Sequence, residues 1–261
     1  MRWEQQIAID RHGVGTYLAS APVDAPQQLK HLARIAEPAE IAAITTGDGY
    51  VFWAAGYLKD GLFRARPDGS SRRRLAKTGG RAFGIVLSGR YLYWIERNAI
   101  GRIDEAGARL RRRFIVLPKR SAGNLTGLTT DGRYLYFGDC GSDSIGRVGL
   151  NGRGFNAQLI SSGPLSCPLD IAYTNGFLYW TAAGGFIGRA TVSGSSVQHW
   201  LKVDHYGPVG LAADAQDVFW GWGRGGGAPP YVGRATAVGR ILTFRFLRAA
   251  PPLAIATSET G

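Results

Sequence analysis

The run Leu92-Tyr93-Trp94, followed after a short turn by Ile100-Gly101-Arg102, decides how this chain folds, because it keeps returning. Its copies are Leu135-Tyr136-Phe137 with Ile145-Gly146-Arg147, Leu178-Tyr179-Trp180 with Ile187-Gly188-Arg189, and Val218-Phe219-Trp220 with Val232-Gly233-Arg234. A looser copy joins Tyr50-Val51-Phe52-Trp53 to Leu62-Phe63-Arg64, and the loosest sets Trp3 ahead of Tyr17-Leu18-Ala19. From Trp53 onward the landmark aromatics lie 41, 43, 43 and 40 residues apart. Strand-like runs at such a period mark a β-propeller, in which each repeat is a small sheet that buries its faces only against its neighbours.

The landmark runs are apolar at successive positions rather than alternating. A sheet packed on both faces requires that pattern. Labelling the landmark strand B and the Ile-Gly-Arg strand C, an inner strand A precedes each B: Ile41 to Ile44, Gly84 to Leu87, Gly127 to Thr130, Asp170 to Tyr173 and Gly210 to Ala213. A sixth A candidate, Leu253 to Thr257, has no B strand after it, while the strands beginning near Trp3 have no A before them. The expectation is therefore an all-β, six-bladed propeller of four-stranded antiparallel blades. Its ring closes with N-terminal strands B, C and D plus C-terminal strand A, and residues 1–261 form a single domain.

Tight turns separate the two sides of the disc. Asp48-Gly49, Ser88-Gly89, Asp131-Gly132 and Asn175-Gly176 join A to B, and Asp68-Gly69, Ala106-Gly107, Asn151-Gly152, Ser193-Gly194 and Val238-Gly239 join C to the outer strand D. Both sets share one side, which leaves the B-to-C and D-to-A loops to carry any ligand site. The candidates there are Arg81, Glu96, Arg97, Asn98, Asn124 and Asp139, together with Asp143, His205, Tyr206, Trp222 and Arg224. Arg81, Asn124 and His205 are expected nearest the axis, since D-to-A loops lead into the innermost strands.

The formal charge is +12 on 261 residues, of which 45% are hydrophobic and 38 are glycine. Arg72-Arg73-Arg74 and Arg111-Arg112-Arg113 fall in the outer strands of consecutive repeats, so a basic rim is expected. It reads either as a polyanion patch or as a charged edge that blocks strand-to-strand aggregation. No window approaches a membrane-spanning run of about 18 apolar residues. The opening Met1-Arg2-Trp3-Glu4 is no signal peptide, so the chain as given reads as cytoplasmic, or as exported if a leader precedes it.

The pattern Leu-Tyr-Trp, short loop, Ile-Gly-Arg, then Gly resembles the YWTD repeat of low-density lipoprotein receptor class B propellers, and more closely their bacterial relatives. The resemblance covers about 210 residues over five repeats and implies a six-bladed propeller. The aspartate of that repeat survives as Asp139, with Glu96 a near match, while Ala55, Ala182 and Trp222 replace it elsewhere. Streptogramin lyases also resemble this repeat class, which implies a histidine and glutamate constellation holding a divalent metal. Of the four histidines, His12 and His205 fall in loops of the ligand side, whereas His31 and His199 fall in outer strands. A lactonase-like cation site would draw on Glu96, Asn98, Asn124, Asp139 and Asp143.

No nucleophile elbow is present, and Gly221-Trp222-Gly223-Arg224-Gly225-Gly226-Gly227 lacks the Lys-Ser/Thr ending of a phosphate loop. It reads as a B-to-C loop whose aromatics cap the blade, or in which Trp222, Arg224 and Tyr231 could grip a sugar or planar ligand. Cys140 and Cys167 belong to loops on the same side at adjoining blades, and both a disulfide and two free thiols are open. The favoured reading is a non-catalytic, monomeric binding propeller, without metal or cofactor, for a protein or carbohydrate. A metal-assisted lyase or lactonase, and a polyanion binder using the arginine rim, are the alternatives.

Overall fold

The computed structural model describes residues 4–12, 15–22, 24, 30–34, 40–56, 61–117, 125–163, 166–203, 207–222, 231–248 and 255–259. Strands β1 (Glu4–His12), β2 (Gly15–Pro22) and β3 (Lys30–Arg34) come first. The next blade is β4 (Glu40–Gly47), β5 (Tyr50–Gly56), β6 (Gly61–Ala65) and β7 (Arg73–Ala76), followed by β8 (Ala82–Ser88), β9 (Tyr91–Glu96), β10 (Ala99–Asp104) and β11 (Arg111–Val116). Then come β12 (Leu125–Thr130), β13 (Tyr134–Asp139), β14 (Ser144–Gly149) and β15 (Asn156–Ser161). A fourth set is β16 (Pro168–Thr174), β17 (Phe177–Ala182), β18 (Phe186–Thr191) and β19 (Gln198–Lys202). The fifth is β20 (Pro208–Ala213), β21 (Asp217–Trp222), β22 (Tyr231–Thr236) and β23 (Ile241–Arg248), and β24 (Ile255–Glu259) ends the series.

Five propeller blades are thus each an unbroken run of four antiparallel strands in sequential order. The expectation is of six such blades, the sixth shared by both chain ends; five are shown as propeller blades. The remaining four-stranded sheet, ordered β24-β1-β2-β3, is a composite of both chain ends, with Ile7 opposite Ala256 and Ala8 opposite Ile255. Side-chain hydrogen bonds flank β24 on both sides: Thr257 Oγ1 donates to Ala213 O of β20, and Thr46 Oγ1 of β4 donates to Thr257 O.

Pairing corrects the landmark of this composite sheet. Trp94 pairs with Gly101, and the corresponding pair is Ala8 with Ala19, each at the C-to-D register shift. Trp3 precedes β1 and lies outside the described residues, so the irregular spacing from Trp3 to Trp53 came from the wrong landmark. His12 is corrected too: it is the last residue of β1 rather than a loop residue.

Contacts explain why the motif repeats. A Cβ added at Gly101, Gly188 or Gly233 would lie 2.2, 2.1 or 2.2 Å from the ring of Trp94, Trp180 or Trp220. Those indoles are fully buried and their rings cover the glycine. In the blade where Phe63 takes the glycine's place, it stacks with Trp53 at 5.7 Å instead. The motif arginine lies over the aromatic that opens the B strand: Arg64 over Tyr50, Arg102 over Tyr91, Arg147 over Tyr134 and Arg189 over Phe177. Where that position is Asp217, Arg234 forms a 2.6 Å ion pair with it.

Candidate binding face

In every blade of unbroken chain, A-to-B and C-to-D turns lie on one side and B-to-C and D-to-A loops on the other, as antiparallel pairing in sequential order demands. Backbone bonds tie the two loop sets together. Leu117 N donates to Asn98 O, Ser162 N to Asp143 O and Val203 N to Gly185 O, at equivalent places in three blades. Each bond joins the residue leaving an outer strand to the B-to-C turn of the same blade.

The candidate side chains reinforce these ties. Glu96 Oε1 accepts from Gly79 N at 2.7 Å, and its Oε2 accepts from Trp94 Nε1 at 3.3 Å. Asn98 Nδ2 donates to Leu117 O at 3.3 Å. Asp139, buried at the end of β13, accepts from Gly141 N at 3.0 Å, and Asp143 Oδ1 accepts from Cys167 N at 2.7 Å. Cys140 and Cys167 are disulfide-bonded across the same pair of loops. Ser162 hydroxyl donates to Asp143 O and shares a short hydrogen bond with Ser166. Among the described residues the acidic and amide candidates therefore fall into two separate braces, one per blade, rather than converging on one point.

Trp222 is corrected outright. It is the last residue of β21, 1% exposed, and packs edge-on to Trp220 in the core, so it presents nothing to a ligand. Arg97 is exposed in a turn with φ of 55°. Arg81 enters β8 half-buried, its guanidinium 5.1 Å from the ring centre of Phe83. Asn124, His205, Tyr206 and Arg224 lie outside the described residues. Among the described residues no group of three His, Cys, Asp or Glu is placed to hold a metal ion. His199 stacks on Phe186 at 4.0 Å in an outer strand.

Two features escaped the sequence reading. Phe83 sits in the bulge between Ala82 and Gly84 and is 41% exposed, although its strand is an inner one. Bulges re-aim side chains. The second is Asp170, which lines an open cavity of about 150 Å³ bordered by β4, β8, β12, β16, β20 and β24. The other blades place Ala43, Gly84, Gly127 and Gly210 ahead of the inner residue that faces the landmark. A Cβ at Gly84 would meet Leu128 N at 2.7 Å, and one at Gly127 would meet Ile171 N at 2.7 Å. At Asp170 the carboxylate occupies this junction: Oδ2 accepts from Leu211 N of the next blade, and Oδ1 from Ile171 N, both at 2.9 Å. Burial outweighs these two bonds and raises its pKa to about 7. The signal was legible as the one carboxylate at a position where three repeats carry glycine.

This architecture defines the class, a β-propeller of four-stranded antiparallel blades. No family model matches the chain, and no curated protein matches it. Among solved structures it is similar to a chain of the nidogen/laminin complex, at TM-score 0.79 and 16% identity over 97% of both chains. It is also similar to a catalytically inactive virginiamycin B lyase from Staphylococcus aureus with quinupristin, at TM-score 0.65 and 19% identity over 93% of this chain and 85% of that one. A streptogramin B lyase aligns at TM-score 0.64 and 16% identity, over 96% of this chain and 86% of that one. At these identities the likeness carries the fold alone.

Proposed function

We propose that the chain is a closed six-bladed propeller, with the composite sheet as its sixth blade, acting as a non-catalytic binding module. Its loop face takes a protein or carbohydrate partner near the mouth of the central cavity. The observation that carries this reading is the Arg81 and Phe83 pair. An exposed aromatic beside an arginine, on a loop pinned by Glu96 to Gly79, is the composition of an interface anchor on a rigid support. The solved nidogen/laminin complex, whose propeller fold this chain shares, supports a protein partner in kind.

The test is to screen the chain against a glycan array and an array of secreted proteins, then repeat with Phe83→Ala, Arg81→Ala and, on the turn side, Asp68→Ala. Partners should weaken by about tenfold or more with the first two variants and be unchanged by the third, as anchors outweigh peripheral contacts. Equal effects on both sides of the disc refute the site.

A further inference from the structure

The outer strands of the six sheets, β3, β7, β11, β15, β19 and β23, contain ten Lys or Arg and no Asp or Glu. Carboxylates collect instead in the turns and at strand ends, as at Asp48, Asp68 and Asp131. The charge of +12 is thus sorted by position as well as large in total.

It peaks at β7 and β11. Arg72, Arg73 and Arg74 are exposed, as are Arg111, Arg112 and Arg113. Arg73 and Arg111 share a register, opposite the motif arginines Arg64 and Arg102. The two blades meet at this edge: the Arg73 guanidinium donates to Ala106 O in the C-to-D turn that leads into β11, and a Cβ at Gly107 would stand 3.2 Å from it. Among the described residues none of the six arginines forms an ion pair with a carboxylate.

Guarding a strand edge against aggregation needs only a charge or two. Six arginines with no ion pair among the described residues repel one another, and that repulsion is relieved by an anion. The planar guanidinium fork suits tetrahedral oxyanions such as sulfate and phosphate. A Cys140–Cys167 disulfide is the chemistry of an oxidising compartment, where sulfated and phosphorylated polysaccharides are more accessible partners than cellular nucleic acid. The edge of a disc is convex, so a flexible chain follows it across two blades where a flat lipid surface touches only a short arc.

We infer that the outer edge formed by β7 and β11 is a second binding surface, for a linear polysaccharide bearing sulfate or phosphate esters. It is independent of the loop face. The test uses a heparin dodecasaccharide as the sulfated probe, with duplex DNA and phosphatidylserine vesicles as competing arms at matched salt. Replacing Arg111, Arg112 and Arg113 together by Ser should weaken heparin binding by about tenfold or more and flatten its salt dependence. The same three positions as Lys should recover most of the binding. A control of equal net charge, Arg97→Ser with Arg133→Ser and Arg153→Ser, should change it less than about twofold. Arg81→Ala should leave it unchanged, which separates this surface from the loop face. Thermal unfolding of each variant establishes that it is folded. Equal losses in the two Ser triples, absence of heparin binding at low salt, or tighter binding to DNA or vesicles than to heparin would each overturn the inference.

Discussion

Glycine in the Ile-Gly-Arg motif is fixed by the indole above it rather than by backbone conformation. Gly188→Ala would drive a methyl into Trp180, where nothing soft can yield because the indole is buried on all sides. Overpacking of this kind costs roughly 1–3 kcal/mol, so chemical denaturation of this variant should give a midpoint lowered to match. Trp180→Ala removes the obstruction but empties the core. Asp170 makes the second residue-level prediction. Its folded pKa of about 7 stands above the ordinary 3.8, so the folded state holds a proton that the unfolded chain has released. The associated stability is fully present below about 3.8 and is lost as pH rises through about 7. Unfolding free energy should therefore fall across that window and level off above it. Asp170→Asn should flatten the slope, and denaturation curves at pH 4, 5.5, 7 and 8 measure it.

At the scale of elements, the loop side is a series of braces. Cys140 and Cys167 are 27 residues apart in sequence and link the turn between β13 and β14 to the entry of β16. Closing a loop of this length in the unfolded chain is worth about 3 kcal/mol. Reduction, or Cys140→Ser with Cys167→Ser, should lower stability by about that amount while leaving the propeller assembled, because the blade's ladders do not depend on it. Alkylation and mass measurement with and without reductant establish the bond directly. Asp143 works beside it, accepting from Cys167 N, so Asp143→Ala should loosen the same junction and speed hydrogen exchange there.

The whole molecule depends on both ends of the chain meeting. β24 pairs with β1 and lies between β20 and β4, with Thr257 bonded toward one and Thr46 bonded toward it from the other. Removing residues 253–261 would strip β1 of its inner partner, leaving it paired to β2 alone with an unpaired inner edge. The truncated chain should unfold without a single cooperative transition and should self-associate, which calorimetry and light scattering test. A cut at the A-to-B turn Gly132 should be tolerated by comparison, since that turn makes no contact with β24 among the described residues.

The repeat itself was legible because its cause is local. An aromatic, a glycine beneath it and an arginine over the next ring recur in most blades, with Phe63 and Asp217 as local substitutes, and Gly at the tight turns follows. The A strands were legible by the same count, down to the C-terminal one. What the repeat obscured was the composite sheet, where Ala8 and Ala19 occupy the landmark and glycine positions and no aromatic announces them. Trp3 drew attention by type, while register is set by pairing partners far away in sequence. The candidate site divided in the same manner. Loop membership followed from strand order, which puts Arg81, Glu96, Asn98 and Asp143 on the B-to-C and D-to-A side. Whether a side chain faces a ligand or a neighbouring amide depends on contacts between loops that no spacing encodes. Tertiary structure alone spent Glu96, Asn98 and Asp143 on bracing, buried Trp222 in the core, and turned Phe83 outward at a bulge. By itself, then, the sequence determined the blade, because a blade is made of short-range pattern. Only packing of blade on blade decided the Asp170 junction and the mouth of the cavity, because these are made where separate repeats meet.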